Sequence, residues 1–366
     1  MLEALIALNA LPKIGPVRIR RLLDRFGSAD AVLSAPKDKL LGVEGIGPET
    51  AKVLRDWESH TDPAAELREV RERGLSILTP DDESFPPGLR ESFDAPILLY
   101  VWGRIEERDR HAVGVVGTRR SSIYGKNSTK KLSFQLASSG FTILSGLARG
   151  IDTTAHEAAI AAGGRTVAVI GSGLAKLFPA ENLPLAERIA DGHGAVVSEF
   201  PLHTPPDKQT FPQRNRIVAA WSRALLVTES PVWSGSLITA NLAGEYGRPV
   251  YAVPGPIDKP TSAGCNRLIR EGATLITDAG ELIDDLSGLL PMDRGLQPAP
   301  EPEKPDLPEL PPEEATVLTA LGTDESGIDR LIDSTGLPAP TVTATLLKLE
   351  MKRLVRALPG FRYVRR

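Results

Sequence analysis

The sequence is short of cysteine, of aromatic side chains and of long apolar runs, and each shortage excludes something. One cysteine, Cys265, in 366 residues cannot close an intrachain disulfide, so a reducing, cytoplasmic setting is expected. No uninterrupted apolar run approaches the roughly 20 residues that cross a bilayer, which points to a soluble chain with no membrane partner. The apolar start MLEALIALNA carries Glu3, lacks a basic leader and runs into a Pro and Gly turn instead of a small-residue cleavage site. Nucleotide fingerprints are missing as well. GSG at 171–173 continues into LAK and does not complete GxGxxG, and no GKS or GKT supplies a phosphate loop. His193 and His203 have no partner at metal-ligand spacing. No cofactor and no metal are therefore expected. Aromatic residues make up only 5%, which leaves no obvious side chain on which a base would stack.

What is present is unevenly placed charge. The total is −4, from 43 basic and 47 acidic side chains, which argues against a protein that coats nucleic acid indiscriminately. Residues 111–151 nevertheless hold Arg119, Arg120, Lys126, Lys130, Lys131 and Arg149 with no Asp or Glu. Residues 348–366 hold seven basic side chains against Glu350 alone. Two local positive surfaces on an acidic chain suggest selective anion binding.

The chain divides into pieces at composition changes. Residues 1–62 contain two similar units, LPKIGPVRIRRLL and VEGIGPETAKVL, each an IGP turn followed by amphipathic spacing. This is the pattern of a helix-hairpin-helix (SAM-like) domain, whose glycine turns let backbone amides approach a phosphate, although IGP turns also serve ordinary helix packing. Residues 63–286 alternate short β-branched runs, at 113–116, 141–144, 166–170, 194–198, 224–228, 249–253 and 273–276, with helical patterns. The alternation predicts an α/β fold: an extended, Rossmann-like doubly wound parallel sheet. ILLYVWG at 97–103 reads as an added edge strand. Residues 287–312, with eight prolines, read as a linker. Residues 313–366 give three short helical patterns and a hairpin turning at Pro359 and Gly360, the outline of a winged-helix domain whose basic end is either a nucleic-acid surface or a solvated tail.

In an open parallel sheet, ligands bind beyond the carboxyl ends of the strands. The loops expected there are glycine- or serine-rich. They present Arg119 and Arg120 in GVVGTRRS, Ser145, Gly146 and Arg149 in SGLARGID, Gly171, Ser172 and Gly173 in GSG, and Gly235 and Ser236 in SGS. FPQRNRIVAA places Arg214, Asn215 and Arg216 near an expected helix start. Cations are unfavourable there unless an anion joins them; the alternative is a solvated charge cluster. Several anion sites in a row suit consecutive phosphates of a strand better than one pyrophosphate.

No reaction centre is evident. His156 reads as structural, Asp152 as a group that caps or orients its own loop, and Cys265 as buried and inert. Glu199 and Glu229 end strands and suit either a general base or a carboxylate holding an arginine. The chain is expected not to be an enzyme. A nucleotide-processing Rossmann enzyme of the nucleoside monophosphate hydrolase type is the alternative, but it would call for a PGGxGT-type loop that is absent.

The ordered set GTRRSSIYG, SGLARGIDTTAHEAAI, VIGSGL, FPQRNRIVAA, TESPVWSGSLITANLAGEYGRPVYAVPG and GCNRLIREGA closely resembles the DNA-processing protein family DprA, also called Smf. The resemblance runs almost continuously over 110–280. It implies an extended Rossmann domain that binds and protects single-stranded DNA and helps load the recombinase RecA in natural transformation and recombination. The positions it carries over are Arg119, Ser145, Gly146, Arg214, Asn215, Gly235, Ser236 and Asn266. The family commonly has YPKxN where this chain has FPAEN, so Ala180 stands in the place of a lysine and Lys176 is the candidate to replace its charge. A homodimer is also implied. The apolar positions of NRLIREGATLIT make Leu268, Ile269 and Leu275 candidate interface residues, with core packing the alternative for each.

Overall fold

The computed structural model describes residues 2–289, 310–321, 325–352 and 354–365, which fall into two compact units. The larger begins with helices α1 (Leu2–Ala10), α2 (Pro16–Phe26), α3 (Ala29–Ser34), α4 (Lys37–Leu41) and α5 (Pro48–Arg55). Both IGP turns do what their sequence suggests. Gly15 and Gly47 sit at the N-caps of α2 and α5, and each proline occupies the first turn, where its missing N–H goes unused. Gly27 ends α2 in the left-handed conformation, with its N–H returning to Leu23 O.

After α6 (Pro63–Glu72) comes a nine-stranded sheet: β1 (Ser76–Leu78), β2 (Leu99–Gly103), β3 (Ala112–Val116), β4 (Thr142–Ser145), β5 (Thr166–Val169), β6 (Gly194–Ser198), β7 (Ala224–Val227), β8 (Val250–Ala252) and β9 (Thr274–Leu275). Interleaved with it are α7 (Pro87–Arg90), α8 (Ile123–Ser138), α9 (Ile151–Ala161), α10 (Leu183–Arg188), α11 (Thr210–Trp221), α12 (Gly235–Glu245), α13 (Ala263–Arg270) and α14 (Ala279–Leu289). The spatial order is β1-β2-β6-β5-β4-β3-β7-β8-β9. From β6 to β9 every pairing is parallel, whereas β2 runs antiparallel to β6 and β1 antiparallel to β2. The 97–103 run is thus an added strand, but β1 lies outside it. Its three residues are too short a run to stand out in the sequence.

Side-chain alternation splits the core between the two sheet faces. Tyr100, Ala168 and Val196 pack with α1, α2 and α5 on one face. Leu99, Val101, Val167, Val169, Ala195 and Val197 pack with α11 and α12 on the other. The helical N-terminal region therefore shares a continuous apolar core with the sheet, and Asn9 Nδ2 donates to Glu199 O at 2.7 Å.

The smaller unit contains α15 (Pro312–Leu321), β10 (Ser326–Gly327), α16 (Ile328–Thr335), α17 (Ala339–Met351), β11 (Val355–Leu358) and β12 (Arg362–Arg365). Its sheet order is β10-β12-β11, and Val317, Leu331, Val342, Leu346 and Val355 form its core, a winged helix. Most of the Pro-rich stretch read as a linker, 290–309, lies outside the described residues, as do Arg353 and Arg366 of the basic end.

Candidate functional site

Strands β3 to β6 succeed one another to one side of β3, and β7 then pairs on its other side. This reversal leaves a crevice at the carboxyl ends of β3 and β7, because the crossovers after them cover opposite faces of the sheet. A cleft of about 510 Å³ opens there. Its walls come from 116–120 after β3, 146–152 after β4, the start of α11, and 231–239 around the start of α12.

Arg119, Arg120 and Lys208 line this cleft, all exposed, and among the described residues none of the three forms an ion pair. Arg119 lies over the Phe211 ring, 5.1 Å from its centroid, and Phe211 in turn meets Phe178 at 5.9 Å. Trp233, 93% exposed, stands on the α12 side of the cleft. A large, almost fully exposed indole beside unpaired cations offers a stacking surface next to phosphate ligands.

Arg214 lies deeper. It is only 4% exposed, and its guanidinium donates to Val169 O at the end of β5. Burial pushes its pKa down to about 10, with Asp152 nearby pulling the other way. The Asp152 carboxylate accepts from Gly146 N at 3.1 Å and Ala148 N at 3.3 Å, and burial raises its pKa. Two backbone amides that a phosphate would otherwise meet are thus held by the protein's own carboxylate, and the loop after β4 is fixed. A Cβ at Gly146 would fall 2.0 Å from Arg214 Nη1, so the arginine fits only against glycine.

The cleft gathers Arg119, Gly146, Arg214, Asn215, Gly235 and Ser236 from the residues expected in the sequence. A small adjoining recess adds Arg149 and Gly171. Arg149 is already held by Glu181, at 2.5 and 2.7 Å. Asn215 Nδ2 reaches Gly235 O at 3.5 Å, and Ser236 Oγ lies within hydrogen-bond distance of Ser230 and Ser234 Oγ.

Other expectations need correction. α11 begins at Thr210, so Arg214 and Arg216 stand in its second turn, away from the free amides of a helix start. Arg216 faces away from the cleft into a buried ion pair with Glu199, donating also to Asp94 O at 2.5 Å. Ser145 is fully buried, its hydroxyl donating to Val115 O at 2.6 Å. Ser172 is also fully buried, and Gly173 packs so closely under the 201–202 backbone that a Cβ would lie 2.1 Å from Pro201 O. Neither lines the cleft. Lys176 is exposed but outside the lining, and the lysine that does line the cleft is Lys208. Asn266 makes paired bonds to the Gly255 backbone, 2.9 and 3.1 Å, and so pins a loop instead. Leu268 is a core residue, Ile269 is half-buried, and Leu275 is 45% exposed on the edge strand β9.

Two of the groups read as structural are buried. His156 is fully buried with Nδ1 2.6 Å from Thr166 Oγ1, and burial pushes its pKa down to about 3. Cys265 is buried, its thiol pushed up to about 12. Among the described residues no cluster of His, Cys, Asp or Glu is arranged to hold a metal, and no helix is long and apolar enough to cross a membrane. Sequence reasoning missed Phe211, Trp233 and Lys208 as cleft residues. Trp233 carried a usable signal, as a large aromatic inside a Gly- and Ser-rich turn after a strand.

The fold is of the doubly wound α/β class, with helix-hairpin-helix and winged-helix elements at its ends, and its cleft carries exposed cations. Residues 76–287 match the model of the DNA recombination-mediator protein A family, 300–360 that of the DprA winged-helix domain, and 5–56 that of a SAM-like helix-hairpin-helix tandem. The chain is 35% identical to Protein Smf of Synechocystis sp. over 99% of its own length and 98% of the relative's. DNA processing protein A from Streptococcus pneumoniae superposes with a TM-score of 0.69 at 33% identity, covering 78% of this chain and 98% of that one. The Helicobacter pylori protein, whose structure is described for its single-stranded DNA binding mode, gives 0.53 at 31% identity, covering 58% and 96%. The chain belongs to the DNA recombination-mediator protein A (DprA/Smf) family.

Proposed function

We propose that the cleft binds single-stranded DNA without catalysing a reaction on it, with Arg119, Arg120 and Lys208 on phosphates and Phe211 and Trp233 stacked against bases. The observation that carries this reading is the juxtaposition, at the sheet's switch point, of three exposed cations, none in an ion pair among the described residues, with an almost fully exposed tryptophan. Asn215, Gly235 and Ser236 line the same cleft and offer polar contacts, while Gly146, Asp152 and Arg214 hold its floor. Family membership and the binding mode described for the Helicobacter pylori relative support the same ligand. In this reading the protein shelters incoming strands and hands them to RecA recombinase in natural transformation. It acts as a homodimer, for which the exposed Leu275 and half-buried Ile269 remain the interface candidates.

Titration of labelled oligonucleotides of increasing length tests the reading directly. Affinity should rise with length and fall with salt, with a log–log slope of about −0.7 per neutralised phosphate. Arg119→Ala should weaken binding about tenfold, equivalent to ~1.4 kcal/mol, and remove about one contact from the slope. Affinity independent of length, equalled by a free mononucleotide, would indicate a single-nucleotide pocket and refute a strand-binding cleft.

A further inference from the structure

The small recess beside the cleft has an incompletely used arginine in its wall. Arg214 lines both cavities and is 4% exposed, yet of its five N–H groups only one, on Nη1, makes a hydrogen bond among the described residues, to Val169 O. Its Nε is buried without a partner. A buried charged donor without an acceptor costs free energy that an arriving anion can offset. Arg119 and Arg149 line the same recess, with Phe178 and Phe211 as apolar walls. Its volume of about 40 Å³ holds roughly three water-sized atoms, which suits the oxygens of one phosphate and excludes a nucleoside. Glu181 covers one edge of Arg149, accepting from Nε at 2.5 Å and Nη2 at 2.7 Å, and leaves Nη1 open. Glu181 is itself fixed in place. The next residue, Asn182, donates to Leu147 O at 2.8 Å and to Thr153 Oγ1 at 2.9 Å, tying the 180–182 turn to the loop that carries Arg149.

We propose that this recess seats one phosphodiester of the bound strand, with Arg149 as a phosphate ligand and Glu181 as the positioning residue that presents it. The proposal rests on the strand-binding reading of the cleft. Arg149 and Glu181 are each about half exposed, so their pair is weak and the guanidinium stays available to an anion. Of the three arginines, two act against a carboxylate, Arg149 against Glu181 and Arg214 against Asp152, which leaves one positive charge over. That balance matches the single charge of an internal phosphodiester better than the nearly double charge of a terminal phosphate. Phe211 belongs to both cavities, so a base on its ring and the phosphate in the recess would occupy neighbouring places.

Salt titration of a labelled single strand against the full chain tests this. Arg149→Ala should weaken binding about fivefold and make the log–log salt slope shallower by about 0.7, one phosphate. Arg149→Lys keeps the charge and should restore the slope. Glu181→Ala should weaken binding about threefold when Arg149 is present and not at all beside Arg149→Ala, because a positioning residue acts only through the residue it holds. Both side chains are exposed, so the variants are expected to fold, as circular dichroism would verify. A circular strand should bind as tightly as a linear one of equal length. If Arg149→Ala keeps the original affinity and slope while Arg119→Ala still weakens binding, the proposal is overturned and the strand-binding reading stands. If the unaltered chain binds a mononucleotide as tightly as a strand, both fall. Tighter binding by Glu181→Ala would make Glu181 a mask on Arg149 and overturn its positioning role. A preference for end-phosphorylated linear strands that disappears in Arg149→Ala would make the recess a terminal-phosphate site and overturn the phosphodiester assignment.

Discussion

Helix α11 separates two regions that use the same residue type in opposite ways. On its cleft side, Arg119, Arg120 and Lys208 are exposed and without ion pairs among the described residues, and the only carboxylate in the lining, Asp152, is occupied by backbone amides. On its other side, Arg216 is enclosed by Glu199 and Asp94, and Asp94 also accepts from Tyr246 Oη at 2.7 Å. Arg214 and Arg216 are two residues apart, about 200° around a helix, so two arginines of one short segment serve different regions. A cation left open to solvent keeps its affinity for a ligand, whereas one enclosed by carboxylates has already given its charge to the fold. Local basic content therefore says little about binding until each cation's partner is known.

The sharpest way to break this comparison is to remove Arg216. Arg216→Ala leaves Glu199 and Asp94 buried without their counter-ion and should cost about 3–5 kcal/mol of stability. Single-strand affinity per folded molecule should stay unchanged. Denaturant titration combined with binding measured well below the transition separates the two; a loss of affinity at full folding would put Arg216 back in the site.

A second measurement concerns the buried layer beneath the cleft. His156 has a folded-state pKa of about 3, below its ordinary value, so the unfolded chain takes up a proton that the folded one refuses. Its contribution to stability is complete above about pH 6.5 and is lost as pH falls toward 3, at about 1.4 kcal/mol per pH unit. His156→Gln should flatten the slope of unfolding free energy between pH 6 and 4 by about that amount. An unaltered slope would show that the imidazole already titrates in the folded protein.

The smallest effect belongs to Lys176. Exposed and outside the cleft lining, it should be replaceable by alanine with less than about a twofold change in single-strand affinity, whereas Lys208→Ala should cost about one phosphate contact in the salt slope. The reverse result would mean that the strand follows the loop after β5 instead of the mouth of the cleft.

Seven parallel strands, the IGP helix starts and the helix-helix-helix-hairpin outline were legible because each depends on local spacing of apolar residues and on turn chemistry. β1 was not, being three residues paired at an edge. At the site, Gly146 and Arg119 were legible from a strand followed by a glycine turn. Ser145 and Asn266 misled because a polar side chain can turn either toward a ligand or back to a backbone group, and the sequence does not record which. Phe211 and Trp233 went unassigned as cleft residues because low aromatic content says nothing of where the few aromatics converge.

The sequence by itself determined the alternation of strands and helices, the glycine turns at strand ends and the absence of nucleotide fingerprints, since each is carried by residues a few positions apart. Only the tertiary structure decided that β7 pairs on the far side of β3, and with it where the crevice opens. It also decided which arginines meet a carboxylate. Glu199 and Asp94 reach Arg216 from 17 and 122 positions away, and contacts between residues so distant in the chain exist only once the sheet has ordered its strands.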